Sequence, residues 1–175
     1  MMSADTNLKS RRQCAVPTRT IVGISELAVS TVGSGTLVTH SLGSCMGVSI
    51  HDPVAHVGGM LHAMMPLSAA DPERARTKPG MYVDSGMTTL LERMFALGAT
   101  KRNLVIRVAG GASNMDSDSV FRIGERNYTV LRKILWKNAL FIQSEDVGGS
   151  KSRTMTLDLA TGETTIKSNG VMRPL

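Results

Sequence analysis

Short segments rich in β-branched residues follow one another from Thr20 onward, and glycines or an Asp-Pro pair separate them. In chain order they read TIVGISELAVS, TLVTHSL, MGVSI and HVGGMLHAM. Segments of this length and composition, bounded by turn residues, are typical of β-strands. The first third of the chain therefore predicts a sheet and not a bundle of helices.

The remainder of the chain predicts two helices. The first begins at Asp84 or Ser85 as the capping residue and ends at Gly98, and the second covers about 124–137. Each has apolar residues at the i, i+3, i+4 spacing of a helix with one buried face. A polar connection with three prolines, 65–80, precedes the first helix.

Further strands alternate with these helices. NLVIRVAGG lies between them, ALFIQSE follows the second, and TMTLDLA and TTIKS form a hairpin through Thr161-Gly162. The prediction is an α+β fold, a layered sandwich of mostly antiparallel or mixed β-sheet with flanking helices. Residues 1–19 are polar and basic without periodicity, which predicts a flexible N-terminal arm, and 20–175 are predicted to form a single domain.

Composition restricts the classes of function. The net charge is +6, but the basic residues are scattered and aromatics make up only 3%, a pattern that disfavours nucleic-acid binding. An acidic protein partner explains the positive charge at least as well as a nucleic acid does. Cys14 and Cys45 form no disulfide framework. Without a signal-peptide pattern or an apolar run of ~18–20 residues, we expect a cytoplasmic protein with free thiols and no membrane insertion.

The surroundings of Cys45 suggest nucleophilic chemistry. Asp52-Pro53-Val54-Ala55 predicts a hairpin turn, and centring it between Pro53 and Val54 puts Cys45 directly opposite His62. Opposed side chains have Cβ atoms ~4.5–5.5 Å apart, so a thiol and an imidazole would meet and the imidazole would keep an ion pair ready for attack. Thr39, on a strand face with Leu37 and Ser41, is the candidate to hold the imidazole tautomer.

Alternatives remain open at this point. Cys45 is also compatible with a small buried apolar residue, and a register slip of one residue would separate it from His62. Three other histidines compete as the base: His40, His51 and His56, of which the last two flank the turn and are expected in solvent.

Glycines near the thiol suggest where an oxyanion would bind. Gly43 and Gly47 allow the chain to bend, so that N–H groups near Ser44 and Cys45 are free to hold a negative oxygen. Arg126-Asn127, near a helix start, fits substrate binding and local hydrogen bonding equally well. A metal site is disfavoured because the histidines have no accompanying carboxylate pattern.

Several segments in order give the chain a resemblance to a known family. LGSC, HDP, VGGMLHAMMP, YVDSGMTTLLERM, GGASNM, IGERN, DVGG and TGETTIK resemble the chemoreceptor glutamine deamidase CheD family over about residues 21–168. Two departures are Ser152-Arg153, where the family commonly has Gly-Arg, and an extra residue in GGASNM.

The resemblance implies both a fold and an activity. It implies a cysteine-hydrolase-like α/β sandwich, related in active-site layout to deamidating bacterial toxins, that converts glutamines of methyl-accepting chemotaxis receptors to glutamate without metal or cofactor. The family's nucleophile, histidine and threonine correspond to Cys45, His62 and Thr39. It also implies binding to the CheY-phosphate phosphatase CheC where that protein exists. A non-catalytic regulator of CheC, another cysteine hydrolase and a basic nucleic-acid binder are the alternative functions.

Overall fold

The computed structural model of the chain describes residues 18–31, 33–113 and 122–175. Within these ranges, ten strands form two five-stranded sheets. Sheet A has, in spatial order, β1 (Thr18–Ile21), β3 (Gly35–Leu42), β8 (Arg153–Asp158), β9 (Thr164–Ser168) and β10 (Val171–Pro174). Sheet B has β2 (Leu27–Ser30), β5 (Val57–Ala63), β4 (Met46–Asp52), β6 (Val105–Gly110) and β7 (Ile142–Val147).

Both sheets are mixed. The β1–β3 and β6–β7 pairs are parallel, and the other neighbouring strands pair antiparallel. Three α-helices accompany the sheets in the described ranges: α1 (Pro72–Thr77), α2 (Val83–Ala96) and α3 (Ile123–Lys137). The predicted α+β layered sandwich of mixed sheet with flanking helices is confirmed.

Sheet B forms the middle layer of the molecule. On one side, apolar residues of β4 such as Val48 and Ile50 pack with Leu90 of α2 and Leu131 of α3. On the other side, Met60 of β5 joins a second cluster built largely from sheet A. Every residue of β4 and β5 is buried as a result, so a polar side chain on these strands is removed from water.

Methionine and aliphatic residues fill this interior, as the low aromatic content requires. The fully buried methionines are Met46, Met60, Met87, Met94 and Met155. By contrast, the single tryptophan of the chain, Trp136 near the end of α3, is 79% exposed, and Phe141 is 82% exposed. Large aromatic rings therefore lie outside the core at this end of α3.

Helix α2 begins earlier than predicted, whereas the extent of α3 agrees with the prediction. The predicted cap Asp84 lies inside α2, where its carboxylate accepts from the Ser68 N–H and hydroxyl (2.9 and 2.8 Å), and no side chain caps the helix. The cap prediction was wrong because a tertiary partner occupies the carboxylate. Gly98 follows the helix end with φ +95°, as predicted.

The 65–80 connection contains a helix that the prediction missed. Asp71 accepts from the Arg74 N–H at 3.0 Å and Pro72 begins α1, so a capping signal was present in the sequence. The terminal strand β10 was also missed. The hairpin at Thr161-Gly162 is confirmed as the connection of β8 to β9.

The N-terminal prediction falls mostly outside the described residues. Of the predicted arm, 1–19, only Thr18 and Arg19 are described, and they belong to β1. Cys14 also lies outside. No helix in the described ranges is both long and apolar enough to cross a lipid bilayer.

Candidate active site

Cys45 lies in the turn from β3 to β4, one residue before β4 begins. The thiol is free and half-buried, and it packs against the cluster between the two sheets. Gly47, two residues on, faces the same cluster, since a Cβ there would run into Leu42 of sheet A. Cys45 thus faces the interior between the sheets, close to the surface end of β4.

The predicted register of the hairpin was wrong by two residues. Gly47 lies opposite His62, and the last pair of the ladder is Met46 with Ala63. The turn is longer than predicted because the Asp52 carboxylate accepts from the N–H groups of both Val54 and Ala55, at 2.9 Å each. A shift of two preserves the face of every side chain.

Cys45 and His62 therefore remain on one face as diagonal neighbours instead of facing partners. Diagonal positions are ~7–8 Å apart between strands, within reach of long side chains. The dyad predicted from spacing is compatible with the observed register, although for a different reason from the one that suggested it.

A chain of hydrogen bonds fixes the tautomer of His62. The Thr39 hydroxyl donates to the Val22 carbonyl at 2.7 Å, and the same oxygen lies 2.7 Å from His62 Nδ1. A hydroxyl has one proton, so the Thr39 oxygen must accept from Nδ1–H. The Nε2 atom then carries a lone pair, and it is buried with no hydrogen-bond partner in the described residues.

Thr39 acts across the two layers of the sandwich. It is fully buried on β3 of sheet A, whereas His62 is fully buried on β5 of sheet B. The sequence left open whether the hydroxyl or the backbone carbonyl of Thr39 meets the imidazole, and the contact is made by the hydroxyl. Thr39 and His62 therefore come from different sheets, and Cys45 comes from the turn between β3 and β4.

Burial determines the charge state of the pair. It lowers the pKa of His62 to about 4. It also raises the pKa of the Cys45 thiol, against the smaller opposing effect of that residue's own backbone N–H. Both shifts favour the uncharged forms, a neutral thiol and a neutral imidazole, and the neutral imidazole is the form that acts as a general base.

Three successive carbonyl groups hold the loop at 43–45, here called the nucleophile loop. The Gly43 oxygen accepts from the Ala112 N–H at 2.8 Å, and the Cys45 oxygen accepts from the Gly111 N–H at 2.9 Å. The Ser44 oxygen accepts from the Asn127 side chain at 3.0 Å. With all three carbonyls bound to the 110–112 segment or to α3, the loop has a fixed orientation.

The N–H groups of this loop differ in availability. Gly43 donates to the Ser41 carbonyl at 2.9 Å, whereas the Ser44 N–H has no backbone acceptor in the parts of the chain described. A Cβ added at Gly43 would meet nothing within 4 Å. Open space therefore lies in front of Gly43, and the Ser44 N–H, next to the thiol, has no acceptor among the backbone groups of residues 18–31, 33–113 and 122–175.

The other histidines lie away from this arrangement. His40 is exposed on the outer face of sheet A, with Arg19 and Thr154 as neighbours at 3.4 and 3.2 Å. His51, expected in solvent, is only 3% exposed, because its side chain extends between the sheets towards Gly162. This burial lowers the pKa of His51. His56 is exposed as expected.

Asn127 is the residue of this region whose role the sequence did not settle. It is fully buried, and its amide also donates to the Met64 carbonyl at 3.0 Å. Its partners lie on other elements, so it makes neither a cap nor a local contact. A buried asparagine among apolar helix positions was the available signal.

No cluster of three or more His, Cys, Asp or Glu suited to a metal occurs in the described part of the chain.

Arg153, which lies in one of the two departures from the family pattern, has a side chain that is held by partners within the protein. Its side chain is only 7% exposed, lies 3.0 Å from the Asp146 carboxylate and donates to the Gly148 carbonyl at 2.7 Å. Nearby, Gly148 donates to the Gly110 carbonyl at 2.9 Å. The DVGG segment is thereby joined to the 110–112 segment that holds the nucleophile loop.

Comparisons with known proteins agree on one family. A family model described as CheD chemotactic sensory transduction matches residues 64–168. The chain is 46% identical over 155 residues to a Solibacter usitatus protein named "Probable chemoreceptor glutamine deamidase CheD", an alignment that covers 89% of this chain and 92% of that protein. A Syntrophus aciditrophicus protein named "Probable chemoreceptor glutamine deamidase CheD 1" is 45% identical, with 86% and 94% covered.

A relative from Pyrococcus horikoshii bears the first of these names and is 40% identical, with 81% of this chain and 87% of that protein covered. A solved structure from Neisseria meningitidis, of the family DUF152, is 11% identical with a TM-score of 0.45, covering 77% of this chain and 64% of that chain. That similarity is too distant to carry an argument. The family-model match begins after Thr39, Cys45 and His62, so the assignment of these residues depends on their geometry.

Proposed function

The chain belongs to the CheD family, and on that premise we propose that it hydrolyses glutamine side chains of chemotaxis receptors with Cys45 as nucleophile, His62 as base and Thr39 as the group that orients the base. The observation that carries this proposal is His62 Nε2, which is buried and has no hydrogen-bond partner among the residues that the structure describes. Thr39 and Val22 hold the proton on the other nitrogen, so Nε2 is ready to accept one. Cys45 supplies a free thiol on the same face.

The first half of the reaction forms a thioester. His62 Nε2 takes the thiol proton as Cys45 Sγ bonds to the side-chain amide carbon of the glutamine. The C=O electrons move onto oxygen, where the N–H groups of Ser44 and Cys45 stabilise the charge, with Gly43 leaving room for the side chain. When the tetrahedral intermediate collapses, the C–N bond breaks and the nitrogen takes the proton from His62 and departs as ammonia.

The second half releases glutamate. Water enters the space left by ammonia and gives a proton to His62 Nε2 as its oxygen bonds to the thioester carbon. Collapse of this second intermediate breaks the C–S bond, and the sulfur recovers its proton from His62. The balance is one glutamine and one water consumed and one glutamate and one ammonia formed.

Mass spectrometry of receptor peptides tests the proposal directly. Receptor incubated with wild-type protein should gain the mass difference between an acid and an amide at specific glutamines, and release ammonia. Cys45→Ala should lower this rate by on the order of 10⁴-fold or more, because the covalent route is lost. Cys14→Ala is the matched control and should retain full activity. Equal deamidation by Cys45→Ala and wild type would refute the nucleophile assignment.

The cellular location and a second protein partner are part of the same proposal. We infer that the protein acts in the cytoplasm, where Cys45 stays reduced, without membrane insertion and without binding nucleic acid. A phosphatase of the CheC type is proposed as a second partner that occupies the same site as the receptor. Competition between purified CheC and receptor for deamidation tests this point, and unchanged receptor KM at saturating CheC would exclude it.

A further inference from the structure

Asn127 occupies a buried position in α3, where an apolar side chain would avoid the desolvation penalty of a polar one. Leu131 and Leu135, one and two turns further along the same face, are buried core residues, and Asn127 itself is 0% exposed. A buried amide is retained only where it has partners, since it gives up its bonds to water. The use of its two N–H groups therefore indicates why the residue is there.

Both N–H groups act where the β4–β5 ladder ends. The last backbone pair of that ladder is Met46 with Ala63. Just beyond it, the Asn127 amide donates to the carbonyls of Ser44 and Met64, at 3.0 Å each. One side chain thus joins two strand ends that the ladder no longer connects.

The two carbonyls flank the reacting groups. Ser44 directly precedes the nucleophile Cys45, and Met64 lies two residues after His62. The amide is held in one orientation, since turning it over would place Oδ1 against two carbonyl oxygens. Oδ1 itself is buried and has no hydrogen-bond partner in the described residues. The side chain is oriented entirely by its donors.

We propose that Asn127 is a positioning residue of the deamidation reaction, setting the separation between Cys45 and His62 by linking Ser44 to Met64. The inference rests on the proposed function, in which Cys45 and His62 exchange a proton. That transfer needs close contact of the two groups, and a displacement of ~1 Å typically costs ~10²-fold in rate. The Asn127 amide donates to the Ser44 and Met64 carbonyls and not to Cys45 or His62, so its effect passes through the two backbone segments.

Asn127→Leu is the main test, because leucine has nearly the same volume and no donors. We expect kcat for receptor deamidation to fall about 10- to 100-fold while KM changes by less than about twofold. Asn138→Ala, at the residue that directly follows α3, is the matched control. Asn138 is exposed and donates to the Ile134 carbonyl at 2.8 Å, so its loss weakens α3 away from the site and should leave kcat unchanged.

A second measurement distinguishes positioning from loss of folded protein. The rate of Cys45 alkylation by iodoacetamide, measured from pH 5 to 9 in the Cys14→Ala background, should contain a component that His62→Gln removes. Asn127→Leu should lose the same component, and Asn138→Ala should keep it. A variant that is merely less folded would expose its thiol and alkylate faster at every pH.

The outcomes separate the two hypotheses. If Asn127→Leu retains the His62-dependent component and kcat within about threefold, the positioning role is refuted. If wild type has no His62-dependent component, the proposed function fails first, and the positioning role with it. If Asn127→Leu does not fold, Asn127→Asp decides by the same two readouts, since it keeps the shape and has at most one proton to donate.

Discussion

The Thr39 hydroxyl, placed between the Val22 carbonyl and His62 Nδ1, controls which imidazole nitrogen carries the proton. Thr39→Val keeps the shape and removes this control, so we expect kcat to fall by on the order of 10² or more through a misassigned tautomer. The orphaned Val22 carbonyl should also cost about 1–3 kcal/mol of unfolding free energy. Thr39→Ser keeps the hydroxyl. It should retain most of kcat in steady-state kinetics and most of the unfolding free energy in urea unfolding.

His62 also predicts how stability depends on pH. Its pKa falls from 6.5 to about 4 on folding because of burial. Between these values the unfolded chain binds the proton and the folded chain does not, so stability decreases as pH falls from about 6.5 to about 4 and then levels off. The shift corresponds to about 3 kcal/mol as an upper estimate.

Urea unfolding of wild type and His62→Gln at a series of pH values measures this effect. The variant should have a shallower slope in the stated window, while the slope due to buried His51 remains in both proteins. Parallel curves would show that His62 does not titrate in this range. On the proposal that the neutral imidazole is the base, the acid limb of kcat/KM should lie near the same low pKa.

At the scale of elements, the 110–112 segment supports the nucleophile loop through close backbone contact. Gly110 has φ +111°, and a Cβ there would strike the Cys45 carbonyl oxygen. Gly110→Ala should therefore lower kcat and cost more than the ~1 kcal/mol typical of alanine at a positive φ. Gly148→Ala, with φ +77° and open space around the Cβ, isolates the backbone effect. Equal losses in the two variants would contradict the contact.

The elements also show where reasoning from sequence succeeds. Local patterns gave the strand segments, the β8–β9 hairpin and the extent of α3, because periodicity and turn residues determine these. The β4–β5 register depended on how far the Asp52 carboxylate reaches along the turn, which composition does not specify. Asn127 was left undecided because its partners, Ser44 and Met64, are distant in sequence and are set by the packing of α3.

At the scale of the whole molecule, the net charge of +6 predicts steering towards acidic surfaces. If receptors present such surfaces, kcat/KM should fall as NaCl rises from about 50 to 200 mM, while kcat at saturating receptor stays constant, because screening acts on encounter. Stopped-flow association and steady-state kinetics at several salt concentrations measure the two effects. A salt-independent kcat/KM would mean that the charge serves solubility alone.

The exposure of Trp136 has a practical consequence for spectroscopy. As the only tryptophan, and 79% exposed, it should emit at long wavelength in the native protein and shift little when the chain unfolds. Its fluorescence is thus a poor monitor of the core but a sensitive one of anything that covers the end of α3. A blue shift or protection from iodide quenching on adding receptor would map a contact there with no label introduced.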